Sequence, residues 1–267
     1  MNLNIFLLSL LVKKCLGYYQ ITHRFLGESL ANNIKTTQLD KVISNINNLI
    51  PLSQFGVEST WADRIKRKSE YSWSASLHYI DINECRLDNK LYIDLNKYCN
   101  NNCIYTAILN MTNSLKDTHF TSSTEDLKFL LHFLQDLHQP LHLNGWSRGG
   151  NSWKIKLKKD NRIINTNFHT LWDSYIPEFY IKKYKPISFS KSSTIESSTI
   201  AFNGILEYQN YLKNHIEMLS NISCNITMTQ QHEIDFDQYF TQHLDIIETM
   251  FRLYIQTSMN TLLFIFN

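Results

Sequence analysis

Apolar residues recur at helical spacing in eight stretches of the chain: residues 24–34, 40–50, 63–69, 104–115, 123–137, 171–180, 197–219 and 235–266. Each predicts a helix with one apolar stripe to bury against neighbours. Residues 152–157, S-W-K-I-K-L, break the pattern by alternating with period two. A K-K-D-N-R turn then leads to Ile163 and Ile164, so a short β-hairpin is expected between two helices. Residues 185–198, rich in Ser and Lys around Pro186, read as a surface loop. No repeat, long linker or charge block interrupts the order. The expected architecture is therefore all-α: one mainly helical domain, residues 18–267, carrying a short β-hairpin.

Composition narrows this picture. Glycine and proline are scarce, 7 and 4 of 267 residues, which argues against an all-β sandwich. A hydrophobic fraction of 43% supplies a full core and argues against disorder. The net charge of +2 gives no global attraction to a polyanion, so any nucleic-acid reading must come from a site. Residues 1–17 hold an apolar run, Ile5 to Val12, too short to span a bilayer. They read as a signal peptide cleaved after Gly17, which predicts secretion or residence in the secretory lumen. Cleavage removes Cys15 and leaves Cys85, Cys99, Cys103 and Cys224. Three pairings are open to four cysteines. Cys99 with Cys103 closes a small loop and would leave Cys85 with Cys224 as a long-range staple. Glycosylation sequons at Asn110, Asn221 and Asn225 agree with secretion.

The chemistry concentrates in F-L-L-H-F-L-Q-D-L-H-Q-P-L-H. His132 and Asp136 are four residues apart, on one helix face, and can reach a common cation. Pro140 ends or kinks that helix, and His142 follows it. His138 is the extra histidine and is expected to be structural. The spacing repeats in N-F-H-T-L-W-D, with His169 and Asp173. Upstream, W-A-D supplies Asp63, and W-S-A-S-L-H-Y-I-D supplies His78, Tyr79 and Asp81. Near the start of the processed chain lies His23, five residues after Tyr18. Lysines 154, 156, 158 and 159 on the hairpin are expected to be a solvated strand face.

Taken in order, W-A-D, W-S-A-S-L-H-Y-I-D, H-F-L-Q-D-L-H-Q-P-L-H, G-G-N and N-F-H-T-L-W-D resemble the zinc-dependent single-strand-specific nucleases of the mung bean type. The resemblance runs from about Tyr18 to the last helix, and the cysteines fit it. It implies a helical scaffold shared with zinc phospholipase C enzymes, and a cluster of three zinc ions. Asp63, His78, His132 and Asp136 would hold one. His142, His169 and Asp173 would hold a second. The third would fall to His23, Asp136 and the α-amino group and carbonyl of Tyr18 as the processed N-terminus. The segment Y-Y-Q-I-T-H departs here from a W-G-x-x-G-H pattern, at Tyr19 and Thr22 among others. Asp63, Asp136 and Asn151 would be catalytic, with Asn151 on the scissile phosphate. Tyr79 would stack on a base and Asp81 would hold its edge. Single-stranded DNA, RNA and nucleotides are the implied partners, 5′-phosphoryl nucleotides the products and 3′-nucleotidase activity an addition. The competing readings are a phospholipase C-like lipid phosphodiesterase and a secreted zinc- or nucleotide-binding protein that has lost catalysis.

Overall fold

The computed structural model describes residues 18–37, 39–85, 93–117, 124–184, 200–228 and 231–267. The expected signal segment and the expected loop at 185–198 lie outside them. Helix α7 (Thr124–Leu137) is the axis: ten consecutive or near-consecutive residues from Leu127 to Leu137 are buried on every side, polar and apolar alike. A helix enclosed all round needs partners on every face. These are α1 (Tyr18–Thr36), α3 (Phe55–Glu58), α4 (Trp61–Ile65), α6 (Ile104–Lys116) and α12 (Leu244–Phe266). Helix α2 (Asp40–Leu49) packs on α12, burying Val42 and Ile46 one turn apart. The buried side chains form one continuous cluster. Among the described residues no helix is long and apolar enough to cross a membrane.

Two helices approach closely because Gly27 of α1 has no side chain. A Cβ there would lie 2.6 Å from the Phe55 carbonyl oxygen of α3. The two disulfides pair as expected, Cys85 with Cys224 and Cys99 with Cys103. Asn100 and Asn101, at positive φ, turn the short loop between α5 (Leu95–Cys99) and α6; Asn tolerates that conformation better than most residues.

The hairpin is longer than expected. Strand β1 (Lys154–Lys159) pairs antiparallel with β2 (Arg162–Asn167) around Asp160 and Asn161, both at positive φ, the conformation of a two-residue type I′ turn. A third strand, β3 (Glu233–Asp235), runs parallel to β1 on its other side. Ile155 and Leu157 point inward and the alternate lysines outward. Lys156 pairs with Glu233 at 2.9 Å, and Lys159 lies over the Phe179 and Phe236 rings. Lys154, Lys156 and Lys159 thus have local partners.

Four helical stretches differ from the periodicity. The 63–69 stretch ends at Ile65, and Ser69–His78 winds as a 3₁₀ helix. There Ser72 and Ser74 return their hydroxyls to the carbonyls three residues back, a local bond that competes with the α ladder. Residues 171–180 divide into a π turn, Leu171–Tyr175, and α9 (Ile176–Tyr184), following the single turn α8 (Phe168–Thr170). Of 197–219, residues 200–204 are not helical. Helix α10 (Ile205–Thr227) starts once Glu207 accepts from the Asn203 backbone and side chain, and it runs on to Thr227. The 235–266 stretch breaks at His243, whose ring donates to the Tyr239 carbonyl, separating α11 (Phe236–Gln242) from α12.

His138, the extra histidine, is buried and bonded away from the cluster. Its Nδ1–H donates to the Leu134 carbonyl, so its Nε2 accepts from His215 Nε2 at 2.9 Å. Burial pushes His138 down to about 4 and His215 well below its ordinary value. Both are neutral when folded, whereas the unfolded chain takes up protons below about 6.5. Stability is therefore full above that pH and lost as pH falls from 6.5 towards 4. We predict that His215→Leu flattens this acid loss, recovering on the order of 1–2 kcal/mol of the pH dependence at pH 5, measured by urea unfolding at pH 7 and pH 5. An unchanged slope would contradict it.

Candidate metal centre

Asp136, on the last turn of α7, is 3% exposed, and its carboxylate meets four imidazoles. Oδ2 lies 2.7 Å from His78 Nδ1 and 3.0 Å from His132 Nε2. Oδ1 lies 3.6 Å from His23 Nε2 and 3.5 Å from His142 Nδ1. The i,i+4 pair is thus delivered by α7 itself, and the other three imidazoles come from three further segments. His23 is on α1, in right-handed helix from Tyr18 onward, so no left-handed residue is required where Tyr19 and Thr22 stand. The side chain of Tyr18 lies outside what is described. Asp63 is on α4, and His78 closes the 3₁₀ helix. Pro140 starts a 3₁₀ turn, Pro140–Leu143, that projects His142.

Asp63 faces three of the same rings: His132 at 3.5 Å, His23 at 3.7 Å and His78 at 3.8 Å. It also accepts from Lys66 Nζ at 2.6 Å. His169 and Asp173 join His142 on the other flank, with Asp173 3.8 Å from His142 Nε2. Asp173 sits in the π turn, an insertion of a kind that concentrates at functional sites.

Burial alone would raise both carboxyls, yet His132 and His142 hold Asp136, and His132 and His23 hold Asp63, well below the usual range. For His132 burial works downward, but the two carboxylates push it up to about 10. His142 is pushed down to about 4 by burial. His142 Nδ1 is buried without a hydrogen-bond partner, 3.5 Å from the Asp136 carboxylate. A stranded imidazole nitrogen beside an ionised carboxylate suits a cation held by N and O donors, as zinc is. Three groups of ligand atoms lie close enough for one ion each: His23, His132, Asp136; Asp63, His78, His132; and His142, His169, Asp173. The residues fit a metal centre.

Outer contacts set the rings' tautomers, and spacing gave no sign of them. His132 Nδ1–H donates to the Ser59 carbonyl at 2.7 Å and His169 Nδ1–H to that of Gly149 at 2.7 Å, leaving each Nε2 for the cluster. His23 Nδ1–H donates to Gln135 Oε1, and Gln135 is oriented by donating to the Tyr254 hydroxyl at 3.2 Å. The Gly149 contact needs a bare backbone: at φ 60°, a Cβ there would meet the Leu141 carbonyl at 2.8 Å.

Two adjoining cavities open beside the cluster. The larger, about 530 Å³, holds Asp63, Asp136 and Asp173, with Lys66 and Arg67 in its wall. The smaller, about 270 Å³, contains Tyr79, Asp81 and Arg148. Lys66, His142, Asn151 and His169 border both. All the candidate site residues with described side chains therefore fall in one region.

Comparison with known proteins agrees with this geometry. The family model S1/P1 Nuclease matches residues 20–261. The chain is 37% identical over 123 residues to Nuclease P1 of Penicillium citrinum, 45% of this chain and 44% of that protein. It is 34% identical over 157 residues to Endonuclease 3 of Arabidopsis thaliana, 54% of this chain and 50% of that one. To Nuclease S1 of Aspergillus oryzae it is 33% identical over 122 residues, 45% and 41%. The aligned stretches span about half the length of these curated relatives. With the family model covering nearly the whole length from α1 to α12, the chain belongs to the S1/P1 Nuclease family.

Proposed function

We propose that this protein hydrolyses phosphodiester bonds of single-stranded DNA and RNA, releasing 5′-phosphoryl nucleotides, at a centre of three zinc ions. One observation carries the reading: three groups of His and Asp ligand atoms abut one another through His132 and Asp136, beside a cavity with cationic walls. His132 and Asp136 with Asp63 and His78 would hold one ion, and His142, His169 and Asp173 a second. The third would fall to His23, Asp136 and the backbone of Tyr18. Zinc bound there would supply Lewis-acid charge and lower the pKa of water towards neutrality.

The chain's own groups do the rest. Asp136 fixes the four imidazoles, and Asp63 lines the larger cavity, where its carboxylate would accept a proton from a bound water. Lys66 lies against Asp63 and borders both cavities, so its ammonium can neutralise phosphoryl oxygens. Asn151 accompanies it: its side chain donates to the Arg148 carbonyl at 3.0 Å, which holds the amide at the rim shared by the two cavities. Tyr79, 41% exposed, offers a face to an unpaired base, and Asp81 an acceptor for its edge. A duplex cannot present a splayed base to so small a cavity, which accounts for single-strand selectivity. The same phosphate site admits a terminal 3′-phosphate.

Processing after residue 17 and passage through an oxidising compartment complete the proposal, in keeping with the two disulfides. Asn110 and Asn225 are exposed and Asn221 partly so, as glycan attachment requires.

Zinc-loaded protein is expected to cleave single-stranded DNA and RNA, to stop on chelation and to recover on zinc addition. Asp63→Asn should lower kcat by at least about 100-fold, read by release of 5′-mononucleotides. Hydrolysis of phospholipid headgroups alone would replace the nuclease with a lipid phosphodiesterase. Full zinc occupancy without hydrolysis would leave a binding protein.

The outer contacts yield a second expectation. Gln135→Leu removes the acceptor of His23, so zinc affinity should fall by roughly 10- to 100-fold with the fold retained, as measured by competition with a chromophoric chelator. Unchanged affinity would show that the Gln135 contact does not orient His23.

A further inference from the structure

Beside Tyr79 and Asp81 the smaller cavity contains a third group that the proposed function does not use. Arg148 is exposed and sits at φ 58°, directly after Ser147 at 49° and before Gly149 and Gly150 at 60° and 79°. The glycines adopt the left-handed region freely, but an arginine there is strained. The Arg148 carbonyl anchors the turn by accepting from both the Asn151 backbone N–H and its side chain. Backbone strain held in place at a cavity wall points to a use for the side chain. Arg148 and Asp81 line the same cavity; burial pushes the Asp81 carboxyl up and the Arg148 charge pulls it back. Among the described residues, however, no ion pair locks the two together, so both remain free for a ligand between them.

Resting on the single-strand nuclease reading, we propose that Arg148 is a specificity-determining residue that makes the smaller cavity prefer guanine. An ionised carboxylate only accepts hydrogen bonds, and a guanidinium only donates them. A base that satisfies both must present adjacent donors on one edge and adjacent acceptors on another. Guanine does so, with N1–H and the N2 amine for Asp81, and O6 and N7 for the fork of Arg148. Adenine meets Asp81 with a ring acceptor beside its amine, and the pyrimidines lack the N7 and O6 pair. The Tyr79 ring supplies a stacking surface common to all bases, so it adds affinity without choice. Because His142, Asn151 and His169 border both cavities, a guanine seated here places its phosphate towards the metal cluster.

Two measurements test this on zinc-loaded protein. The first is calorimetric binding of 5′-GMP, 5′-AMP and 7-deaza-GMP, which needs no turnover. Wild type should bind GMP at least about 10-fold more tightly than either rival, and Arg148→Asn, which suits the left-handed backbone, should lose that margin. The second is kcat/KM on dinucleotides carrying each base on either side of the scissile phosphate, where Arg148→Asn should remove a guanine preference and leave the other bases within about threefold. Equal binding of GMP and AMP by wild type would overturn the proposal whatever the cleavage results. A uniform loss over all bases with a shallower salt dependence would also overturn it, making Arg148 a phosphate contact. If wild type binds GMP preferentially but cleaves no dinucleotide, the base subsite stands and the nuclease reading fails.

Discussion

The structure is organised by one buried carboxylate. Asp136 is nearly inaccessible, and an ion in such a place costs several kcal/mol unless it is surrounded by partners. His23, His78, His132 and His142 provide them from four directions. The demand explains the architecture around α7. A helix enclosed on every side can bring Asp136 to the centre, and a proline just beyond the helix can return the chain at once to the cluster with His142. The segments carrying His23, Asp63 and His78 are packed against the same helix.

Around this carboxylate lies a second layer that makes the imidazoles usable. The Ser59 and Gly149 carbonyls and the Gln135 amide each take an Nδ1–H, so His132, His169 and His23 all offer Nε2 inward. Backbone acceptors suit this task because they have no rotamer to lose. The left-handed turn through Ser147–Gly150 belongs to the same design: it brings the Gly149 carbonyl under His169 and carries Arg148 and Asn151 to the cavities. One turn thus serves both the His169 ring and the wall of the smaller cavity.

Local spacing made part of this legible. His132 with Asp136 and His169 with Asp173 declare themselves because one helical turn puts four-apart residues together, and the hairpin showed as a change of period. Resemblance, not periodicity, brought Asp63, His78 and His23 to the same cluster, since their meeting depends on tertiary packing. The carbonyl partners, Gln135, Lys66 and Arg148 left no periodic trace. Nor did β3, whose three residues pair with a strand far away in sequence, or the break at His243, which turns on one ring-to-carbonyl bond. The 3₁₀ run before His78 could have been suspected from its serines.

The most direct test of the central claim is the zinc content of Asp136→Asn beside wild type, measured by mass spectrometry on metal-saturated, desalted protein. Asparagine keeps the shape but removes the charge that four imidazoles share. The account predicts three zinc ions in wild type and one in the variant, retained by His142, His169 and Asp173. A variant that keeps all three would show that the buried carboxylate does not organise the centre.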